Sequence, residues 1–219
     1  MLVKNHILLA IMVSVTLTGC VGKMALVKGQ SDVKTSDKSI ILLPVKISNQ
    51  NRTGYQPNLI LAEVTGAKNQ KIDIKDGLFK ESKNEYKDYL LSFSLEPGAY
   101  TISNLIGHYR IPLLVNAFCS VPLNAPIEVK PNTIIYLGRI NATIVERKED
   151  DNERAGSLLP LIDQAIAGFS NGTFIINIED QYDVDVADYR KEYPGLKGVT
   201  IEKSILPQWQ RANTSVAVK

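Results

Sequence analysis

Few side chains in this 219-residue sequence carry chemistry, and their number narrows the options further. Histidine occurs only at His6 and His108, and cysteine only at Cys20 and Cys119. A serine–histidine–acid set needs an imidazole between nucleophile and carboxylate, and His108 is the one histidine outside the first 19 residues. It follows Gly107 at the end of an alternating run, where a surface histidine is the expectation. Two cysteines exclude a disulfide framework and a four-cysteine metal site. Cys119 sits among Val115, Ala117, Phe118 and Val121. A buried, inert thiol is expected there, with a reactive nucleophile as the alternative, because nothing near it in sequence would lower its pKa.

The densest acidic group is Glu179, Asp180, Asp183, Asp185 and Asp188. Calcium prefers several such oxygens in one tight loop, but the central Gly and terminal Glu of an EF-hand are missing. A capped helix start, with Asp185 as N-cap and Asp188 three residues on, uses the same residues. No metal and no cofactor is therefore expected. The formal charge of +2 includes no clustered basic face of the kind that displaces counterions from phosphates, so nucleic acid is not an expected partner.

The first residues have a different character. Lys4 is followed by an apolar run from Ile7 to Leu17, the form of a secretory signal peptide and too short for the roughly 20 residues of a membrane span. Leu17-Thr18-Gly19-Cys20 resembles the bacterial lipobox. The resemblance implies that residues 1–19 are removed, that the Cys20 thiol carries a diacylglyceryl group and that the freed amine is acylated. Several chains together give stable anchoring. Val21 follows the cysteine rather than Asp, which resembles the outer-membrane sorting type of Gram-negative bacteria. The expected location is the cell envelope, at the outer membrane and facing the periplasm.

Residues 20–38, rich in Lys, Ser, Asp, Thr and Gly, hold no persistent period and read as a lipidated cysteine plus a flexible tether, able to reach about 60 Å when extended. Residues 39–150 alternate with period two and predict strands. Leu43, Val45 and Ile47 form one, with Pro44 favouring a sheet edge. Ile60, Ala62 and Val64 form another. From Thr133, the residues Ile134, Tyr136, Ile140, Ala142 and Ile144 share one face, with Arg139, Asn141 and Thr143 on a wet one. Phe93-Ser94-Leu95-Glu96-Pro97-Gly98-Ala99-Tyr100-Thr101-Ile102 predicts a hairpin with Pro97 and Gly98 in a type II turn.

That segment is similar to the strand-Pro-Gly-x-Tyr-strand signature of transthyretin-like and carboxypeptidase-regulatory-like domains, and residues 129–138 resemble their closing strands. The resemblance implies an antiparallel β-sandwich of transthyretin or Ig type, with no fixed function. Three prolines, Pro112, Pro122 and Pro126, exclude a regular central strand from residues 111–126. Either this stretch folds back to plug the sandwich, the favoured reading, or Ile111, Leu113, Leu114, Val115 and Phe118 form an apolar loop for a partner or ligand.

Residues 151–207 predict a small α/β appendage. Pro160, Ile162, Ile166 and Phe169 suit a short helix; Phe174, Ile176 and Ile178 suit a strand; Val186, Tyr189 and Tyr193 form a second helical stripe; Val199 and Ile201 suggest a last strand. Residues 208–219 read as a mobile tail. The fold class is thus mainly β, a sandwich with one or two short helices near the C-terminus. The expected function is that of a membrane-anchored, non-catalytic envelope lipoprotein with a structural, assembly or protein-binding role. A periplasmic small-ligand or peptide binder is the alternative, and an enzyme ranks last.

Overall fold

The computed structural model describes residues 21–33, 35–66, 69–111, 115–149, 151, 153–158 and 164–211, with the backbone alone for Lys75 and Val115. The expected signal peptide, Cys20, Leu113, Leu114, Pro160 and Ile162 lie outside them. Twelve strands and one helix are described: β1 (Val21–Lys23), β2 (Ser39–Asn49), β3 (Asn58–Gly66), β4 (Gln70–Asp73), β5 (Leu78–Ser82), β6 (Tyr86–Leu95), β7 (Gly98–Ile111), β8 (Val115–Val129), β9 (Ile134–Tyr136), β10 (Arg139–Glu146), β11 (Gly172–Glu179), α1 (Tyr182–Glu192) and β12 (Glu202–Lys203).

The chain is mainly β, as expected, and builds two sheets. One runs β1-β4-β3-β7-β8 and the other β11-β10-β2-β6-β5, with β9 and β12 attached beside β2. Both are mixed rather than antiparallel, because β1 pairs β4, β10 and β9 pair β2, and β12 pairs β9 in parallel. Their facing sides share one core, in which Ile41, Leu43, Val45 and Phe93 meet Ala62, Val64, Ile102 and Val121. Across it the Leu59 amide donates to the Tyr89 hydroxyl at 3.0 Å.

Strand β2 is buried on both sides. Ile41, Leu43, Val45 and Ile47 enter the inter-sheet core, while Ile40 and Leu42 enter a second core with Leu90, Tyr136, Val186, Tyr189 and Tyr193 beneath α1. Such continuous apolar runs belong to strands covered on both faces. Pro44 is therefore central and not at an edge. It pairs Leu90 on β6, and on its other side it falls between the β9 and β10 registers, where no ladder needs its missing N–H.

The same gap corrects the face assigned after Thr133. Between the pairs Leu42↔Tyr136 and Val45↔Ile140, the β9–β10 chain takes four steps where β2 takes three. One extra residue, with Gly138 at φ +94, exchanges the faces. Ile134 and Tyr136 consequently lie in the second core, and Ile140, Ala142 and Ile144 in the first. A Cβ at position 138 would also meet the Glu179 carbonyl and Ile205 at 3.2 Å.

Phe93 to Ile102 is a corner and not a hairpin, since β6 belongs to one sheet and β7 to the other. Gly98 does take a positive φ, +143, at that corner. Residues 115–129 form a full strand, β8, at a sheet edge, where Pro122 and Pro126 cost no ladder bond. A register shift between Ile102 and Asn104 on its partner β7 accommodates its irregularity. Strand β11 is no appendage; it pairs β10 over eight residues and places Phe174, Ile176 and Ile178 in the main core. The described part of the expected first helix, residues 164–169, is turns, with Phe169 buried and Ile166 exposed. Residues 208–211 are packed rather than mobile: Trp209 Nε1 donates to the Pro122 carbonyl at 2.6 Å and Gln208 Nε2 to that of Ile178 at 2.6 Å.

The expected tether is replaced by a strap. After β1, Met24 packs on the main core, the Ala25 amide donates to the Ser92 carbonyl at 2.9 Å and the Leu26 amide to Ser92 Oγ at 2.9 Å. Leu26 is buried in the second core, and the Gln30 carbonyl accepts from the Gly195 amide at 3.1 Å. The strap takes over the edge of β6 beyond the end of β5. Truncation at Leu26, harmless in a free tether, is expected to cost about 2–5 kcal/mol here, as for other buried leucines. Chemical denaturation of Leu26→Ala against the parent chain reads this directly.

Candidate functional site: a polar groove beside a buried ion set

Helix α1 covers only part of the outer face of the larger sheet. It lies over Ile40, Leu42, Leu90 and Tyr136. Further along, successive outward positions are polar: Lys46 and Ser48 on β2, Asn141 and Thr143 on β10, Tyr86 and Asp88 on β6. These floor an open groove of about 660 Å³, with Lys80, Glu179, Gln181 and Asp188 on its rim. Ser48 Oγ and Thr143 Oγ1 lie 3.0 Å apart, Lys46 Nζ sits 4.1 Å over the Tyr86 ring, and Lys80 Nζ lies 3.8 Å from Asp188 Oδ2.

At the end of the groove where α1 begins, Arg139 is buried among acids. Its Nε donates to Asp185 Oδ1 at 2.9 Å, Nη2 donates to the same oxygen, and Nη1 donates to Asp88 Oδ1 at 2.8 Å. The Tyr136 hydroxyl donates to Asp185 Oδ2 at 2.6 Å and accepts the Gln181 amide at 3.2 Å. Arg139 thus shares the outer face with Asn141 and Thr143, as its alternation assigned it, but the start of α1 covers it and that end of the face is not wet. Asp185 is no N-cap either, because the helix begins three residues earlier, after Gln181. Its carboxylate is fully buried and ties α1 to the sheet.

Burial works to lower the Arg139 pKa, but the bonds to Asp185 and the charge of Asp88 outweigh it and hold the guanidinium firmly protonated. Burial raises the Asp88 carboxyl above its ordinary value, with the Arg139 charge opposing. Burial and then the Asp185 bond raise the Tyr136 phenol. With its nitrogens committed to acids, Arg139 offers no free charge to the groove. Hydroxyl, amide and phenol groups dominate the floor, and lysines and carboxylates alternate around it. That arrangement suits a ligand rich in hydrogen-bonding groups and without strong net charge.

The other expected residues are scattered. Among the acidic group, Asp185 faces Arg139, Asp188 the groove and Asp180 Lys203 at 2.8 Å, so they share no loop. Among the described residues no group of three or more His, Cys, Asp or Glu side chains is placed to hold a metal. His108 Nε2 lies 2.8 Å from Asn116 Oδ1, and its ring stacks on Phe118 at 4.6 Å. Cys119 opposes Gly107, one position along, and so faces into the core while His108 faces out. Burial pushes its thiol up to about 12. Of the expected apolar loop, Ile111 packs against the core and Phe118 is partly exposed.

Gly168-Phe169-Ser170-Asn171-Gly172 carries the Gly-x-Ser-x-Gly spacing, a feature missed in reading the sequence. A nucleophile elbow lifts its serine on a turn from strand into helix. Here the turn leads into strand β11, and Ser170 is buried. Compared with protein-family models, with curated proteins and with solved structures, the chain matches none.

Removing one partner of a buried ion pair strands the other charge and typically costs about 3–5 kcal/mol. Asp185→Ala is expected to lose stability on that scale in denaturant titration. Asp88 acts in the opposite sense with pH. Its folded pKa is raised, so its contribution to stability is full below 3.8, its ordinary value, and is lost as pH rises through the folded value. Asp88→Asn removes that opposing slope. Its melting temperature should consequently climb more steeply with pH just above 3.8 than that of the parent, as followed by circular dichroism.

Proposed function

We propose that this chain is a bacterial envelope lipoprotein, anchored through acylated Cys20 at the outer membrane and facing the periplasm, whose two-sheet domain binds rather than catalyses. The observation that carries the reading is the run Leu17-Thr18-Gly19-Cys20 behind an apolar leader, ending one residue before the first strand of the domain. The placement of His108 and Cys119 on opposite faces of one hairpin supports binding over nucleophilic catalysis. The resemblance to transthyretin-like modules belongs to the same reading, as a scaffold for adaptors and binders. The polar groove favours the ligand-binding form of this function. Its floor, where hydroxyl, amide and phenol groups outnumber the opposite charges of Lys46 and Asp88, would take a hydroxyl- or amide-rich segment of an envelope component.

Acylation is tested by mass spectrometry of the N-terminal peptide of membrane-extracted protein and by fractionation of Cys20→Ser. The expected outcomes are a Cys20 peptide carrying acyl mass and a variant that leaves the membrane fraction. An unmodified cysteine, or a variant that stays bound, overturns the anchor.

A further inference from the structure

The position of the anchor relative to the strap has a geometric consequence. Cys20 precedes Val21 by one peptide unit, about 3.8 Å between Cα atoms. Val21 is already strand, paired parallel with Lys71 on β4, and the chain stays packed through Leu26 to Gln30. A lipid on Cys20 therefore has no slack to hold the domain away from the bilayer.

Exposed apolar side chains lie beside that point. Val21 is 65% exposed and Val27 62% exposed, among the most exposed large apolar side chains described. Val27 borders a cleft of about 620 Å³ lined by Met24, Leu26 and Tyr193, with Lys23 and Lys28 beside it. Lysine stems lie along apolar surface while their ammonium groups reach toward water or phosphate. Lys28 is paired with Glu192 at 3.1 Å, and Asp73 and Asp76 border the same cleft, so no polybasic attraction operates. The lateral edge made by β8 and β11 is far from this point in the strand order of both sheets and carries Ile175, 47% exposed.

We propose that the face formed by Val21, Lys23, Val27 and Lys28 rests on the phospholipid bilayer, so that the domain is held flush and in one orientation rather than swinging on a tether. The proposal rests on the anchoring at Cys20 argued above. An anchored face meets the membrane at high effective concentration, so weak apolar contacts suffice to orient it. The orientation sets the β8–β11 edge away from the bilayer.

The test uses the full, membrane-processed chain carrying Val27→Cys, Lys28→Cys or Ile175→Cys, each labelled with a fluorophore. Acylated Cys20 has no free thiol, and buried Cys119 is unreactive. In phosphatidylethanolamine–phosphatidylglycerol vesicles containing a headgroup-nitroxide lipid, the labels at 27 and 28 are expected to be quenched several-fold more than the label at 175. Equal quenching at the three positions, in samples whose mass shows acylated Cys20, overturns the flush orientation and leaves the anchor standing. An unmodified Cys20 removes the anchor and the orientation together.

Discussion

The apolar run Ile40, Ile41, Leu42, Leu43 and Val45 can leave neither face of its strand in water, and that constraint organises the molecule. A strand whose successive side chains point to opposite sides needs two covers. The five-stranded sheet supplies one, and α1 with the N-terminal strap supplies the other. Layer order, the central place of β2 and the role of the C-terminal third all follow. Removing the helix would expose Ile40, Leu42 and Leu90 together, which is why residues 182–206 are part of the fold and no attachment to it.

Arg139 marks the boundary between the covered and open parts of that outer face. A buried ion set gives little net stability over an apolar replacement of the same shape, because both charges must leave water. Its effect here is positional. Two nitrogens of one guanidinium hold Asp185 on the helix, and a third holds Asp88 on β6, so α1 cannot slide along the sheet without stranding a charge. The groove begins where this knot ends, and its shape depends on the helix stopping there.

The proposed anchor, the strap and the groove are linked through one packed segment. The strap joins both sheets and both cores within a few residues of Cys20, so whatever fixes Cys20 fixes the whole domain. A flexible tether would let the groove sample many directions. A packed one gives it a set direction relative to the start of β1.

What the sequence determined by itself was local chemistry and alternation. The apolar run from Ile7 to Leu17 and the motif Leu17-Thr18-Gly19-Cys20, on which the proposed anchor rests, are read from contiguous residues, and the mainly β class follows from period two in the segments that became β2, β3, β6, β7, β10 and β11. Tertiary structure decided which strands are neighbours and which faces are covered. Phe93 to Ile102 has the turn chemistry of a hairpin, yet the same glycine serves a corner between sheets, because pairing partners are chosen by packing at long range. Pro44 and Pro122 each read as breakers, and each is tolerated where the neighbouring ladder is absent. The continuous run from Ile40 to Val45 could have revealed a strand covered twice. Nothing local could place Asp185 beside Arg139, 46 residues away, and so bury it beneath α1, or part Ile134 and Tyr136 from Ile140, because a single extra residue at Gly138 reverses the pleat and only the paired strand records it.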